Sequence, residues 1–185
     1  AFPRLNLASY YIFIAGADIK EIEDIIDPKD GKLKAQAGQN VFNKLQDLSL
    51  PTIAVIDGAA LGGGCELALA CTYRVATFND KVRIGLPEVN LGFVPGFGGT
   101  FRLPRLVGLQ SALKLILSGN PIDASASFKM GLVDALYPQT GLSGRVKEFA
   151  AQVAPYGRKR FVKRPGKKGF DAFLDNHPFG QNIVF

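Results

Sequence analysis

The sequence predicts an α/β fold with a parallel type of sheet. Short β-branched apolar runs alternate along the chain with segments of helical pattern and with glycine-rich loops, the order expected when parallel strands are joined by helices. The chain has 185 residues, of which 47% are hydrophobic and 21% charged, so it can bury a core as one compact domain or two small ones. This composition argues against a disordered or fibrous protein.

The first elements are a capped helix and a buried strand. Asp18 is a favourable N-cap for a helix over residues 19–26, because Glu21 three residues later completes a capping box. Residues 15–17 then lie in the turn that enters this helix. The apolar run over residues 51–56 predicts a buried strand that closes at a turn over residues 57–58.

The following elements are separated by two glycine-rich loops, over residues 59–64 and 92–99. The predicted strands cover residues 73–77, 82–84 and 132–137, and the predicted helices cover residues 65–71, 110–117, 124–130 and 146–153. We assign residues 1–154 to the main domain. The chain then becomes basic and rich in glycine and proline, so residues 155–185 are predicted to be a linker and terminal segment.

The positive charge of the chain is local. Residues 158–168 carry seven basic side chains and no acidic one, which is more than the net charge of +6 of the whole chain. Such a segment could bind nucleic acid or an acidic cofactor, but a solvated linker is the favoured interpretation. Nucleic acid is therefore not the expected partner.

Other protein classes lack their sequence signals. Cys65 and Cys71 are six residues apart in an apolar stretch, which favours packing over a disulfide or metal site. The single His177 gives no Ser-His-acid arrangement, and no phosphate-loop or dinucleotide fingerprint is present. The longest apolar runs are far shorter than the roughly 20 residues of a membrane-spanning helix, and no signal peptide is recognisable. We expect an intracellular protein without a transmembrane segment.

The most informative loop contains three consecutive glycines, Gly62, Gly63 and Gly64, followed by Glu66 in the first turn of a helix. Glycine lets a backbone N–H approach a ligand oxygen closely, and a helix N-terminus adds positive partial charge, so this is the composition of an oxyanion hole. The alternative is a plain loop in which Glu66 only interacts favourably with the helix dipole.

A second glutamate, Glu88, follows a predicted strand among apolar neighbours. Two glutamates in apolar surroundings suggest a general acid and base, since burial raises a carboxyl pKa toward neutrality. Their separation of 22 residues fits two successive loops at one end of a sheet. Two capping or ion-paired glutamates remain the alternative.

Four segments, read in order, carry a family resemblance. They are Phe13-Ile-Ala-Gly-Ala-Asp-Ile, the run from Pro51 to Ala68, Gly85-Leu-Pro-Glu-Val-Asn-Leu-Gly, and Pro95-Gly-Phe-Gly-Gly-Thr-Phe-Arg-Leu. Together with residues 131–134 they resemble the enoyl-CoA hydratase/isomerase (crotonase) superfamily over about residues 12–138. Residues 85–108 and 178–185 are similar to the hydratase half of multifunctional fatty-acid oxidation α subunits. The resemblance implies the crotonase-like (ClpP/crotonase) fold of repeated ββα units.

The resemblance also implies site roles. The backbone N–H groups of Ala17 and Gly63 would hold the thioester oxygen, while Glu66 and Glu88 would add water to a trans-2-enoyl-CoA. The substrate-binding candidates are Ala15, Gly62, Phe93, Pro95 and Gly96. No metal and no separate cofactor are expected, because coenzyme A is part of the substrate.

The two glutamates favour a hydratase of fatty-acid β-oxidation over a Δ3,Δ2-enoyl-CoA isomerase or another thioester-enolate enzyme. By resemblance, the partners would be further copies of the chain or a thiolase subunit, and a dehydrogenase domain would follow. The location would be the bacterial cytoplasm, or a mitochondrial or peroxisomal matrix. Family members have a longer N-terminal region that helps to bind CoA, whereas here eleven residues precede Ile12. We therefore expect that residues are missing, or that the chain is interrupted between Tyr11 and Ile12.

Overall fold

Two small parallel sheets form the centre of the fold in the computed structural model, which describes residues 12–16 and 25–156. The first sheet contains, in spatial order, β1 (Ile12–Ile14), β3 (Ala59–Leu61) and β5 (Arg83–Gly85). The second contains β2 (Ile53–Ile56), β4 (Tyr73–Thr77) and β6 (Ala135–Tyr137). All four strand pairings are parallel, which confirms the predicted α/β class.

Helices connect the strands. They are α1 (Pro28–Gln46), α2 (Gly63–Ala70), α3 (Gly99–Val107), α4 (Leu109–Ser118), α5 (Ala124–Met130) and α6 (Leu142–Val153), with 3₁₀ turns at Pro87–Leu91 and Ala154–Tyr156. Within the two described ranges, no helix is long and apolar enough to cross a membrane.

The core lies between the sheets and helices α2 to α5. Ile56, Ile84 and Leu86 are almost completely buried in it. A second cluster packs one face of α6 against the opposite face of the β2-β4-β6 sheet. There the rings of Tyr73 and Phe149 meet edge to face, with their centroids 5.6 Å apart. Both sides of β4 are therefore covered, and all five of its residues are buried.

A buried ion pair joins β4 to the segment before β6. The Arg74 guanidinium lies 3.3 Å from Oδ2 of Asp134 and donates to the carbonyl oxygens of Leu132, Ala68 and Cys71 at 2.9, 3.0 and 2.7 Å. These charge-assisted contacts fix the end of α2 relative to both strands.

Several predicted elements are confirmed. Strand β4 and helix α5 have the predicted bounds, and Gly131 ends α5 in a left-handed conformation with φ of 82°. Strand β2 and helices α4 and α6 overlap their predicted ranges. Both cysteines are free thiols, and Cys65 is part of the core.

Other predictions need correction. The loop predicted over residues 59–64 contains strand β3, and α2 begins at Gly63 rather than at residue 65. Helices α1 and α3 were not predicted, although Asp27 caps α1 through a 2.8 Å hydrogen bond from the Lys29 N–H and Pro28 occupies its first turn.

Three expectations fall mainly outside the described residues. Of the helix predicted over residues 19–26, only residues 25–26 are described, and they are not helical. Tyr11 and all but the first two residues of the segment 155–185 also lie outside them. The chain interruption and the two-domain division therefore stay predictions.

Candidate active site

Glu66 lies in the first turn of α2, where the glycine loop was expected to place it. The N-cap residue Gly62 has φ of 54°, a left-handed value that suits glycine. The Glu66 side chain is buried, with 1% of its residue surface exposed. Its Oε1 accepts hydrogen bonds from the backbone N–H groups of Phe97 (2.8 Å) and Gly99 (2.7 Å). The second glycine-rich loop is therefore part of the Glu66 environment.

Close packing explains the glycine at position 99. A Cβ atom there would stand 3.0 Å from both Cγ and Oε1 of Glu66 and 3.2 Å from Cδ1 of Leu86. The loop over residues 96–99 is also held from α1, because the Gln39 side-chain amide donates to the Gly96 carbonyl oxygen at 2.8 Å. The Phe97 ring packs edge to face on Phe42, with centroids 5.7 Å apart.

Glu88 is the second buried glutamate, with 6% of its surface exposed. It lies in the 3₁₀ turn Pro87–Leu91 directly after β5. Its Oε1 is 3.2 Å from the position that a Cβ atom on Gly62 would take, so the carboxyl lies against the loop that enters α2. Its Oε2 is buried and accepts no hydrogen bond within the described part of the chain.

The two carboxyl groups have different electrostatic surroundings. Burial raises the pKa of Glu88 to about 7; its own backbone N–H opposes this shift, and the nearby charge of Glu66 adds to it. Burial also raises the pKa of Glu66, but the N–H groups of Gly99 and Phe97 and the charge of Arg102 favour its ionised form. The hydrogen bonds and the Arg102 charge thus oppose the effect of burial on Glu66, whereas the pKa of Glu88 lies near neutral pH.

One half of the expected oxyanion hole is described. The end of β1 lies against the start of α2, because a Cβ atom on Gly16 would stand 3.8 Å from the Gly63 nitrogen. Gly63 is the first residue of α2, and the first N–H groups of a helix have no intrahelical acceptor. Ala17, the other predicted donor, lies outside the described residues.

The predicted substrate-binding residues differ in their burial and in their contacts with the two glutamates and the end of β1. Gly62 and Pro95 are buried, Phe93 and Gly96 are half-buried, and Ala15 is exposed. The Phe93 N–H donates to the Glu88 carbonyl oxygen at 3.3 Å, which places it beside the 3₁₀ turn. Gly62 lies near the end of β1, since a Cβ atom on it would be 3.9 Å from the Gly16 Cα.

Arg102 was missed in the sequence. Its guanidinium is buried beside the loop of residues 96–99 and donates to the Phe97 carbonyl oxygen at 2.9 Å. The available signal was an arginine between the apolar residues Phe101 and Leu103. In residues 12–16 and 25–156 there is also no group of three or more His, Cys, Asp or Glu side chains arranged to hold a metal ion.

Comparisons with known proteins agree with this geometry. The family model described as enoyl-CoA hydratase/isomerase matches residues 8–174. Two relatives, both called fatty acid oxidation complex subunit alpha, are from Vibrio parahaemolyticus (48% identical) and Aliivibrio fischeri (43% identical). Each match covers 94% of this chain and 24% of the relative. The chain thus spans about a quarter of the length of these relatives.

Solved structures show the same fold. The enoyl-CoA hydratase from Bacillus anthracis is 37% identical with a TM-score of 0.69, over 75% of this chain and 53% of that one. The enoyl-CoA hydratase from Thermoplasma volcanium is 30% identical with a TM-score of 0.72, over 78% and 57% of the two chains. The crotonase-like fold expected from the sequence is therefore confirmed.

Proposed function

The chain belongs to the enoyl-CoA hydratase/isomerase family, and on this premise we propose that it adds water across the 2,3 double bond of a trans-2-enoyl-CoA. The observation that carries the proposal is the unequal environment of the two buried glutamates. Glu66 accepts two backbone N–H hydrogen bonds, while Oε2 of Glu88 accepts none from the described residues. This asymmetry suits one base and one acid.

The proposed reaction begins with water between the two carboxyl groups. Glu66, as the carboxylate, takes a proton from the water while the water oxygen forms a bond to C3. The electron pair of the double bond moves toward the thioester, whose oxygen becomes an enolate. Glu88, as the carboxylic acid, gives its proton to C2. The product is a 3-hydroxyacyl-CoA, and a proton passes from Glu66 to Glu88 before the next turnover.

The enolate oxygen needs donors as its charge develops. The N–H of Gly63 at the start of α2 is one proposed donor, and the N–H of Ala17 is the other. Loss of one such donor costs about 10²–10³ in rate in enzymes with an oxyanion hole. We propose that no metal and no separate cofactor take part, since the carboxyl groups and these donors supply the proton transfers and the charge stabilisation.

An isomerase remains the second candidate. Moving a double bond from C3 to C2 needs a proton removed at C2 and returned at C4, which one carboxyl group can do. The two buried glutamates favour hydration, because hydration needs a second carboxyl group to activate water and isomerisation does not. If Glu66→Gln still isomerises a 3-enoyl-CoA but no longer hydrates a 2-enoyl-CoA, the wild-type protein has both activities, with Glu88 as the shared proton carrier.

The names of the relatives support a role in fatty-acid β-oxidation. We propose that the chain corresponds to the hydratase part of a fatty acid oxidation complex α subunit, acting on acyl-CoA thioesters in the cytoplasm of a bacterium. A following dehydrogenase domain, a thiolase partner and a homo-oligomer are part of this proposal. The nucleic-acid alternative depends on residues 158–168, which lie outside the described residues, and no comparison supports it.

Conversion of crotonyl-CoA to 3-hydroxybutyryl-CoA tests the proposal, followed as loss of the enoyl-thioester absorbance. We expect Glu66→Gln and Glu88→Gln each to lower kcat at least about a hundredfold, with the fold verified by circular dichroism. Glu148→Gln, an exposed site on α6, is the matched control and should retain activity. Folded wild-type protein that does not hydrate crotonyl-CoA would refute the proposal.

A further inference from the structure

The Arg102 side chain connects two elements that meet at the candidate site. Its Nε donates to Oε1 of Gln46 at 2.8 Å and its Nη2 to Oδ1 of Asn43 at 2.7 Å, both on α1. Its Nη1 donates to the Phe97 carbonyl oxygen at 2.9 Å. Only 7% of the residue surface is exposed. A buried cation thus uses three neutral oxygen acceptors to fasten the loop of residues 96–99 to α1.

The same loop residues also face Glu66. The carbonyl of Phe97 accepts from Arg102, while the N–H of Phe97 donates to Oε1 of Glu66. Between the two donors to Glu66 lies Gly98, where a Cβ atom would stand 2.1 Å from Nη1 of Arg102. The guanidinium therefore occupies the space beside Gly98 and fixes the peptide groups that present both N–H groups to Glu66.

Charge acts in the same direction as geometry. Three titratable groups interact with Glu66 through their charges. They are Arg102 on α3, Glu88 in the 3₁₀ turn, and Cys65, which precedes Glu66 on α2. Arg102 is the cation among them, and its charge lowers the pKa of Glu66 while burial raises it. Burial lowers the pKa of Arg102, while the charges of Glu66 and Asp47 favour its charged form.

We propose that Arg102 is a positioning residue: it holds the loop of residues 96–99 so that the N–H groups of Phe97 and Gly99 keep Glu66 in place as the base of the reaction. This inference deepens the proposed hydration and rests on it for its catalytic meaning. Arg102 acts through the loop, and its own guanidinium is occupied by α1 and the Phe97 carbonyl oxygen.

The variants for the test are Arg102→Gln, Arg102→Lys and Arg105→Gln. Arg105→Gln is the matched control, because it removes the same charge from the same helix. In the wild type, the Arg105 guanidinium lies 3.3 Å above the Phe101 ring and donates to the Phe101 carbonyl oxygen, rather than to the loop of residues 96–99. Arg102→Lys keeps the charge, but its single ammonium nitrogen cannot span the three acceptors that the guanidinium reaches from Nε, Nη1 and Nη2.

The first readout is the NMR titration of the Glu66 carboxyl carbon, which does not depend on turnover. We expect the titration midpoint of Glu66 to rise in Arg102→Gln, to rise less in Arg102→Lys, and to stay unchanged in Arg105→Gln. If Arg102→Gln does not fold, Asn43→Ala removes one of the two exposed anchors on α1 and should shift the midpoint in the same direction by less.

The second readout is the pH dependence of kcat/KM for crotonyl-CoA hydration. Its acid limb should move to higher pH in Arg102→Gln by the shift measured for Glu66, whereas a merely destabilised protein would lose activity equally at all pH values. A Glu66 midpoint that is the same in folded Arg102→Gln or Asn43→Ala as in the wild type overturns the proposal. Failure of the wild type to hydrate crotonyl-CoA instead overturns the proposed function, and the titration still decides whether Arg102 controls Glu66.

Discussion

Replacing Gly64 with alanine measures how closely β1 lies against α2. A Cβ atom on Gly64 would stand 2.1 Å from the Ile14 carbonyl oxygen and 2.8 Å from the Ile14 carbonyl carbon. Both are backbone atoms, so no side-chain rotation relieves the contact. To reach ordinary van der Waals separation, β1 and α2 must move apart by more than about 1 Å.

Two opposing effects set the stability of Gly64→Ala. Alanine in place of glycine within a helix gains at most about 0.5–1 kcal/mol, and Gly64 is in the first turn of α2. Overpacking of a closely packed contact costs about 1–3 kcal/mol. We expect the backbone contact to dominate, so Gly64→Ala should lower the free energy of unfolding by about 0.5–2 kcal/mol. The matched control is Gly144→Ala in α6, where an added Cβ atom meets nothing within 4 Å. That variant should instead be stabilised by about 0.5–1 kcal/mol.

Urea unfolding followed by circular dichroism gives both free energies. The same displacement should affect activity, because it moves Gly16 away from the Gly63 nitrogen at the proposed oxyanion hole. A misplacement of about 1 Å can cost about a hundredfold in rate, so kcat/KM for crotonyl-CoA should fall by tenfold to a hundredfold. If Gly64→Ala is as stable as Gly144→Ala and fully active, the close approach of β1 to α2 is wrong.

Three further predictions concern charge and packing. The hydration rate should be bell-shaped in pH, falling at low pH as Glu66 gains a proton and above about pH 7 as Glu88 loses one; a flat profile from about pH 5 to pH 9 would contradict this. Asp134→Asn removes the buried carboxylate that faces the Arg74 guanidinium, so urea unfolding should show a loss of about 3–5 kcal/mol, and a loss below about 1 kcal/mol would argue against the pair. Gly99→Ala pushes on Glu66 Oε1, so the folded variant should lose at least about tenfold in kcat; wild-type activity would disprove that contact.

The linkage between Glu88 and stability has a defined sign. The pKa of Glu88 in the folded state is about 7, above its ordinary value of 4.5. Its protonated form therefore stabilises the fold fully below about pH 4.5, and this stability is lost as the pH rises through 7. Glu88→Gln removes that loss, so its stability relative to the wild type should increase between these pH values. Equal pH dependence of the two proteins in urea unfolding would mean that Glu88 titrates normally.

Local signals explain which elements could be predicted from sequence. Asp123 caps α5 through a 2.7 Å hydrogen bond from the Ala126 N–H, and Gly131 ends the helix, so both limits are encoded within a few residues. The sequence of helix α1 shows no clear apolar periodicity, because none of its residues is buried and its composition is mainly polar. Asp27-Pro28 is a typical start of a helix, but a polar segment of 19 residues carries no further sequence signal of helix formation. Its stability comes mostly from tertiary contacts, which the sequence pattern does not show.

The candidate site was only partly predictable for a related reason. Glu66 and Glu88 stand out as carboxyl groups among apolar and glycine neighbours, and that signal is local. The donors to Glu66 come from Phe97 and Gly99, 31 and 33 residues later in the chain. Arg102 reaches Asn43 across 59 residues. Such contacts depend on how α1, α2 and the second glycine loop pack, and no sequence period encodes them.

The glycines of the site act through the atoms that they leave room for. Gly62 makes space for the Glu88 carboxyl, Gly64 for the end of β1, and Gly99 for the Glu66 carboxyl. The same close packing buries both carboxyl groups. The loop of residues 96–99 gives Glu66 two N–H donors, whereas the N–H that lowers the Glu88 pKa is that of Glu88 itself. Packing therefore raises both pKa values, while hydrogen bonding separates them. The proposed acid and base roles therefore depend on where each glutamate meets the backbone.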